Sequence, residues 1–316
     1  MLLADNIGES ISGEDLATRL GVSRAAVWKA IDALREEGHA IEAATNRGYR
    51  LMPDSGVLCR ETVLPYLNSQ VDLITPREVG STNTLLREMA LNGAPHGTVA
   101  LTDRQSAGKG RRGRSFLSPE GGIYLSLLLR PNLSASEGVR LTIAACVGVC
   151  RAIQDVCGLY GSIKWVNDIF INGKKVCGIL TEGAASLESG MLDYAVVGVG
   201  VNYLYPKAGF GKELEDIAGS LYGMGEQPPV PRGRMAAALI DSLVEAIAHP
   251  EDESIMEEYR KRSLIPGKRV LVLRGDSERQ ALAEEVLSDG SLRVRYDDCS
   301  TEDLISGEVS ILPQKD

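Results

Sequence analysis

Histidine is scarce. His39, His96 and His249 are the three in 316 residues, far apart and in loop-like sequence. A His-based catalytic triad or a histidine-rich metal centre does not fit that distribution. An enzyme made from this chain would work mainly by binding and electrostatics. The six cysteines (Cys59, Cys146, Cys150, Cys157, Cys177 and Cys299) are scattered and contain no CxxC pair. That reads as buried reduced thiols, neither a disulfide framework nor a zinc site, and no resident metal is expected. Long apolar runs are missing too: the longest uncharged apolar stretches, 141–150 and 194–205, fall well short of the roughly 18–20 residues of a membrane helix. Asp5 and Glu9 spoil a signal-peptide reading of the start, so a cytoplasmic protein without membrane association is expected. Positive charge is not in excess: 34 Lys and Arg face 43 Asp and Glu, for a net charge of −9. A protein that coats nucleic acid or anionic lipid over its whole surface is excluded, while a local basic site remains possible.

What is present is an ordinary soluble composition, 44% apolar and 24% charged, in a chain about two domain-lengths long at ~150 residues each. The pattern predicts an α+β multidomain fold in three parts. Residues 1–55 read as a winged helix-turn-helix. A short helix over 14–20 is broken by Gly21-Val22, Ser23 caps a second helix over 24–37, and Val27, Ile31 and Leu34 form its buried stripe. Gly38 is a natural helix stop. Strands over 40–44 and 49–52 flank a turn at Asn46-Arg47-Gly48, and residues 53–56 look like a linker.

Residues 60–265 alternate strands (98–102, 122–129, 162–171, 175–182, 194–201) and helices (82–92, 136–157, 232–248, 251–263), with 207–231 as a long connection or mobile flap. Evident hairpins favour a mixed sheet flanked by helices. Over 267–316 the helical pattern is lost. Strands at 269–273, 280–287, 292–296 and 309–312 around an Asp289-Gly290 turn predict a small SH3-like β-barrel.

The first unit is not basic as a whole, since residues 1–60 hold seven basic and nine acidic side chains. A partner-docking helical domain is the competing reading. DNA contact is expected from Ser23, Arg24, Ala25, Trp28 and Lys29 at the start of the second helix, with Arg47 and Arg50 on the wing. Trp28 is either a backbone-packing residue or a half-buried structural tryptophan.

The most informative segment runs from Gln105 to Arg114, QSAGKGRRGR. Residues 108–113 match GxGxxG, yet a dinucleotide fingerprint needs a strand running straight in and a helix opening at the end. Here five polar or small residues follow the strand, and Pro119 and Gly121-Gly122 lead into another strand. Three glycines with Lys109, Arg111, Arg112 and Arg114 instead make an anion-seeking loop able to wrap a phosphate chain. Next, Asn172-Gly173 signals a hairpin. Its two-residue turn pairs Phe170 with Lys175, Asp168 with Cys177 and Lys164 with Thr181, which points Lys164, Asp168 and Lys175 to one side. Charges on an otherwise apolar face are usually paired or functional. Finally, Ser81 or Thr82 would cap the helix that begins at Val79-Gly80-Ser81-Thr82-Asn83.

Together these pieces resemble the biotin protein ligase family, and the resemblance covers essentially the whole chain. Residues 78–83 look like its substrate-helix start, 105–114 its glycine–arginine adenylate loop, 164–168 and 175–182 its hairpin signature, and 198–202 the strand that follows. The winged helix and C-terminal barrel point to its bifunctional class, which also represses a biotin operon. The resemblance implies biotin and ATP, with Mg2+ as part of the co-substrate, combining to biotinyl-5′-adenylate. Biotin then passes to a lysine of the biotin carboxyl carrier domain of acetyl-CoA carboxylase. It implies that Ser81, Thr82, Asn83, Gln105, Lys109, Gly110, Arg111 and Lys175 hold biotin and its adenylate, with Lys175 and Arg111 closest to the chemistry. Arg112, Lys164, Asn167 and Asp168 would serve the ATP side. Operator DNA and, with adenylate bound, a second copy of the chain are the implied partners.

Two residues depart from the family pattern. Lys109 stands where arginine is usual, so a bidentate fork becomes a point charge, and Val166 replaces the usual proline. The few residues before Glu9 also imply a truncated start or a weakened packing of the winged domain. The rival readings are a lipoate–protein ligase and a ligand-sensing transcription factor without ligase activity.

Overall fold

The structure, a computed structural model, describes residues 2–312 except 4–5, 7, 37–38, 45–46, 53–56, 275–276 and 306. The N-terminal unit runs β1 (Ser10–Ile11), α1 (Gly13–Leu20), α2 (Arg24–Glu36), β2 (Ile41–Ala44) and β3 (Gly48–Leu51), with sheet order β1-β3-β2. Ser12 Oγ accepts from Asp15 N to cap α1, and Ser23 Oγ accepts from Ala26 N to cap α2. Val27 and Ile31 are buried against Leu16, Ile11, Ile41 and Leu51, with Leu34 packed beside them, as the stripe requires. The strand β1 is too short to show a period, which is why it is invisible in sequence. Gly38, Asn46 of the wing turn and the 53–56 linker lie outside the described residues.

The central unit continues with α3 (Arg60–Val63), β4 (Asp72–Ile74), β5 (Glu78–Val79), α4 (Thr82–Leu91), β6 (Thr98–Thr102), β7 (Arg104–Gln105), β8 (Ile123–Leu129), α5 (Gly138–Cys157), β9 (Ser162–Lys164), β10 (Asp168–Ile171), β11 (Lys174–Ala185), β12 (Leu192–Val201), α6 (Arg232–Ala248) and α7 (Glu253–Arg262). Seven strands form a mixed sheet in the order β4-β6-β8-β12-β11-β10-β9, antiparallel except for β4 against β6. Both faces are covered, which explains the unbroken apolar runs of β6, β8 and β12. Odd positions such as Val99, Leu101, Leu125, Leu127, Val197 and Val199 pack in the main core with α5 and α6. Even positions Ala100, Leu128, Tyr194 and Val196 pack under Leu86 and Ala90 of α4.

The remaining strands are β13 (Arg269–Arg274), β14 (Ser277–Val286), β15 (Leu292–Tyr296), β16 (Thr301–Leu304) and β17 (Glu308–Ile311), in the order β16-β15-β14-β13-β17. This is an antiparallel sheet, as expected. The predicted SH3-like barrel is not closed: β16 and β17 are its two edges and do not pair among the described residues. Its apolar side merges with the central core through Val270, Val272, Ala281, Leu292 and Val294.

The hairpin expectation needs correction. The predicted strand 162–171 is two strands, β9 and β10, folded on each other across Trp165-Val166-Asn167, so that Lys164 opposes Asp168 and not Thr181. A register shift between Ile169 and Phe170 then sets Asp168 opposite Gly178 rather than Cys177. The cause is tertiary. Trp165 is buried with its indole Nε1 donating to Gly290 O, and Asn167 Nδ2 donates to Ile179 O, filling the break with hydrogen bonds. The 207–231 connection is long, as expected, but part of it is docked. Lys175 N donates to Ile217 O, and Gly219 N donates back to Lys175 O.

All six cysteines are free thiols, and burial pushes Cys146, Cys150 and Cys177 up from the ordinary range.

The contact between α5 and α6 yields a test. A Cβ on Gly148 would lie 2.6 Å from Ser242 O and 3.3 Å from Ala246 Cβ. Alanine gains up to ~1 kcal/mol of helix propensity, whereas overpacking against backbone costs about 1–3 kcal/mol. Gly148→Ala is therefore expected to lower the denaturation midpoint, as read by circular dichroism. A raised midpoint would mean that α6 yields freely.

Candidate functional site

The pocket begins as a gap in the apolar patterning of one sheet face. Along the α4 side, the even positions of β8, β11 and β12 change from Leu128, Tyr194 and Val196 to Ser126, Gly178, Gly198 and Gly200. These small residues let other groups press onto the sheet. A Cβ at Gly198 would lie 2.0 Å from Asn83 Oδ1, and one at Gly200 would lie 2.4 Å from the Phe116 ring. The result is a concavity, open to solvent, at the N-terminus of α4.

Its polar wall is a continuous network. Gln105 Oε1 accepts from Thr82 N (2.9 Å) and Thr82 Oγ1 (3.1 Å). The expected cap by Ser81 or Thr82 is thus corrected: Ser81 occupies the N-cap position without a side-chain bond, and the cap comes from β7. Ser126 Oγ lies 2.7 Å from Thr82 Oγ1 and 2.6 Å from Asn83 Oδ1. Asn83 Nδ2 donates to Glu182 Oε2 (2.9 Å) and Leu180 O (3.2 Å), and Arg87 Nη1 holds the other oxygen of Glu182 at 3.0 Å. Glu182 thereby fixes which way the Asn83 amide faces.

The Gly–Arg segment is a small hairpin of its own. Phe116 N donates to Gly108 O, Lys109 bridges Ser115, and Gly110 N donates to Arg114 O, with a 3-10 turn at Arg111–Gly113. Arg112 sits there at φ 56, a left-handed conformation that costs a residue with a Cβ about 1–2 kcal/mol. The next regular element is the strand β8, and no helix opens at the loop's end, in keeping with the rejected dinucleotide reading.

Opposite the loop stand β9–β11. Lys175 Nζ pairs with Asp168 Oδ1 at 2.8 Å and lies 6.0 Å from the Phe116 ring centroid, while Arg111 Nη1 donates to Asn167 Oδ1 at 3.2 Å. The fold therefore brings together Ser81, Thr82, Asn83, Gln105, Lys109, Gly110, Arg111, Arg112, Lys164, Asn167, Asp168 and Lys175, despite the corrected hairpin register. Among the described residues, the lining carries six cations (Lys109, Arg111, Arg112, Arg114, Lys164 and Lys175) and one carboxylate, Asp168. No cluster of three or more metal-ligating side chains occurs among the described residues.

Sequence reasoning missed Ser126, Phe116 and Glu182, and also Gly307 and Val309, which the C-terminal sheet contributes to the pocket wall. Ser126 had a signal: it is a small polar side chain inside the otherwise apolar or aromatic strand Ile-Tyr-Leu-Ser-Leu-Leu-Leu. Gly307 and Val309 had none.

On the N-terminal unit, Ser23, Arg24, Ala25, Trp28, Lys29 and Arg47 are all exposed. Trp28 keeps 55% of its surface in solvent. Two of the expected cations have partners: Arg24 pairs with Glu14 (3.4 Å) and the wing residue Arg50 with Glu42 (2.6 Å).

Comparison with known proteins agrees with this geometry. Residues 76–202 match the Biotin/lipoate A/B protein ligase family, and residues 2–50 match an HTH domain. The "Bifunctional ligase/repressor BirA" of Bacillus subtilis (strain 168) is 42% identical over 217 residues, which make up 67% of this chain and 66% of that relative. The "Biotin--[acetyl-CoA-carboxylase] ligase" of Mycobacterium tuberculosis (strain H37Rv) is 30% identical over 71% of this chain and 82% of its own. Among solved structures, the biotin protein ligase from Aquifex aeolicus in complex with biotin and ATP superposes with a TM-score of 0.62 at 26% identity, covering 77% of this chain and 99% of that one. With its glycine floor, its cationic loop and these relatives, the chain belongs to the biotin protein ligase family.

Proposed function

We propose that this protein is an ATP-dependent, AMP-forming biotin–protein ligase and also a transcriptional repressor that responds to its own intermediate. One observation carries the ligase reading: among the described residues, six cations and one carboxylate line a pocket with an uncharged, hydrogen-bonding end, in a chain of net charge −9. Such a site suits a reaction that must bring two anions together. A carboxylate oxygen of biotin attacks the α-phosphorus of ATP, the bond to pyrophosphate breaks, and biotinyl-5′-adenylate results. A lysine amine of the carboxyl carrier domain of acetyl-CoA carboxylase then attacks the acyl carbon. The bond to phosphate oxygen breaks, AMP leaves, and the amine gives up a proton.

Ser81, Thr82, Asn83 and Gln105 hold the uncharged head of biotin at the α4 end. Lys109, Gly110, Arg111 and Lys175 meet its carboxylate and the phosphate, while Arg112, Lys164, Asn167 and Asp168 face ATP, which enters with Mg2+ as co-substrate. Arg111 and Lys175 do the chemistry's work by charge, and no protein nucleophile is needed. The division into a DNA-binding unit (1–55), a catalytic unit (60–265) and an SH3-like unit (267–316) is part of the proposal, as is a cytoplasmic location. No helix among the described residues is long and apolar enough to cross a membrane.

The direct test is pyrophosphate release with ATP and either biotin or lipoate. Biotin-dependent release supports the ligase reading, lipoate-dependent release would make the protein a lipoate-type ligase, and neither would leave a sensor. In the same assay, Lys175→Ala removes charge-assisted contacts of ~1.5–3 kcal/mol each and unpairs Asp168. A roughly ten- to hundredfold loss is expected, and activity within twofold of wild type would reduce Lys175 to a partner of Asp168.

Arg111→Gly is expected to leave a folded enzyme that makes the adenylate but releases it early, because the loop loses the guanidinium tied to Asn167. The check is adenylate off-rate by rapid filtration. Lost synthesis combined with intact retention would contradict this role.

For the repressor half, a unit of near-neutral charge whose Arg24 and Arg50 are already paired has little phosphate affinity alone. Two linked copies gain through half-site spacing and effective concentration. The adenylate is therefore expected to drive homodimerisation, and operator DNA must tighten adenylate binding by the same factor as adenylate tightens DNA binding. Sedimentation with and without adenylate, paired with mobility shift, measures both. A monomer in both states, or DNA binding indifferent to adenylate, would leave a ligase with an idle N-terminal unit.

A further inference from the structure

The two ends of the segment that carries the cationic loop, Asp103 and Gly122, are 19 residues apart in the chain and meet one side chain outside the pocket. Arg232, at the first position of α6, is 9% exposed. Its Nη1 lies 2.5 Å from Asp103 Oδ1, just after β6, and donates to Gly122 O at 2.9 Å, just before β8. One guanidinium thus meets both the entry of segment 103–122, through an ion pair with Asp103, and its exit, through a hydrogen bond to Gly122 O. That segment carries Gln105, Lys109, Gly110, Arg111, Arg112 and Phe116 into the site.

Local preference does not account for an arginine there. The first turn of α6 has no acidic side chain and holds both Arg232 and Arg234, against the positive end of the helix dipole. A charge nearly removed from water, placed where the helix disfavours it, is retained for its tertiary partner. The same residue stands at the end of the 207–231 connection, whose Ile217 and Gly219 grip the backbone of Lys175. The shorter closures inside the segment (Gln105 Nε2 to Ser118 Oγ, Tyr124 Oη to Pro119 O) set its shape but do not join its two ends to α6.

We infer that Arg232, paired with Asp103, is a positioning residue for adenylation: it sets the register of the Gly–Arg loop, and with it of Gln105 and Arg111, against the sheet floor. It touches no reactant and is not a catalytic residue. The inference rests on the ligase reading for its effect on turnover, but not for its effect on the loop.

The experiment uses the full chain in three variants: Arg232→Met, which removes the charge and the donor to Gly122; Arg232→Lys, which keeps the charge and loses the planar guanidinium; and Asp103→Asn, which keeps the shape and loses the charge. Amide hydrogen exchange over 104–121 is measured beside biotin- and ATP-dependent pyrophosphate release and adenylate off-rate, well below each variant's melting temperature. In Arg232→Met the expected result is loop exchange and adenylate release roughly ten- to hundredfold faster, with KM for biotin raised more than kcat is lowered. Arg232→Lys should recover part of both.

A merely structural arginine would lower the melting temperature and leave these readouts unmoved. Folded Arg232→Met with loop exchange and adenylate release within twofold of wild type overturns the inference. If Arg232→Met does not fold, Asp103→Asn decides: accelerated exchange over 104–121 supports the clamp, and unchanged exchange overturns it. A wild-type protein that releases no pyrophosphate with biotin sinks the ligase reading, while the exchange data still judge the clamp.

Discussion

Six cationic side chains crowd one pocket with a single carboxylate among the described residues, and the central unit is organised around that imbalance. Like charges gathered in one pocket repel, so the surrounding structure has to hold them there. The Lys175–Asp168 ion pair and the Arg111–Asn167 hydrogen bond absorb part of the strain. The rest of the restraint comes from uncharged structure. The loop has its own ladder of backbone bonds from Gly108 to Phe116, and it is fastened to α4 by Gln105. An anionic ligand entering this site relieves repulsion at the same time as it gains contacts.

The sheet supplies the matching surface by a change of side-chain size within one register. Gly198, Gly200 and Gly178 follow the parity of the apolar residues that bury α4, so floor and core are the same face of the same strands. Asn83 and Phe116 occupy the room that the missing Cβ atoms leave. Glu182 then orients the Asn83 amide, and Ser126 joins it to Thr82. A hydrogen-bonding end and a charged end thus sit side by side, with no histidine in the lining among the described residues. This is the arrangement expected of an enzyme that works by placement.

Much of this was legible in the residues. The helix over 232–248 and the strand over 98–102 have the boundaries their periodicity predicts. The Gly–Arg loop and the Ser81-Thr82-Asn83 start announced themselves by composition. Failure came where a side chain found a distant partner. Strand 162–171 reads as continuous, yet it breaks because Trp165 reaches Gly290, 125 residues away, and because Asn167 bonds Ile179. Ser81 reads as a cap, yet Gln105 supplies it, accepting from Thr82 N 23 residues back in the chain.

The sequence by itself determined which chemistry is available: the cations, the glycines, the Ser81-Thr82-Asn83 segment and the winged helical unit are all local patterns, and local patterns follow from backbone period and residue type. Only the tertiary structure decided how those parts meet. The bond from Trp165 to Gly290 that breaks strand 162–171, the contribution of Gly307 and Val309 to the wall and the hold of Arg232 on Asp103 and Gly122 are contacts between segments far apart in the chain. No periodicity encodes such contacts, because each depends on the packed positions of two elements at once.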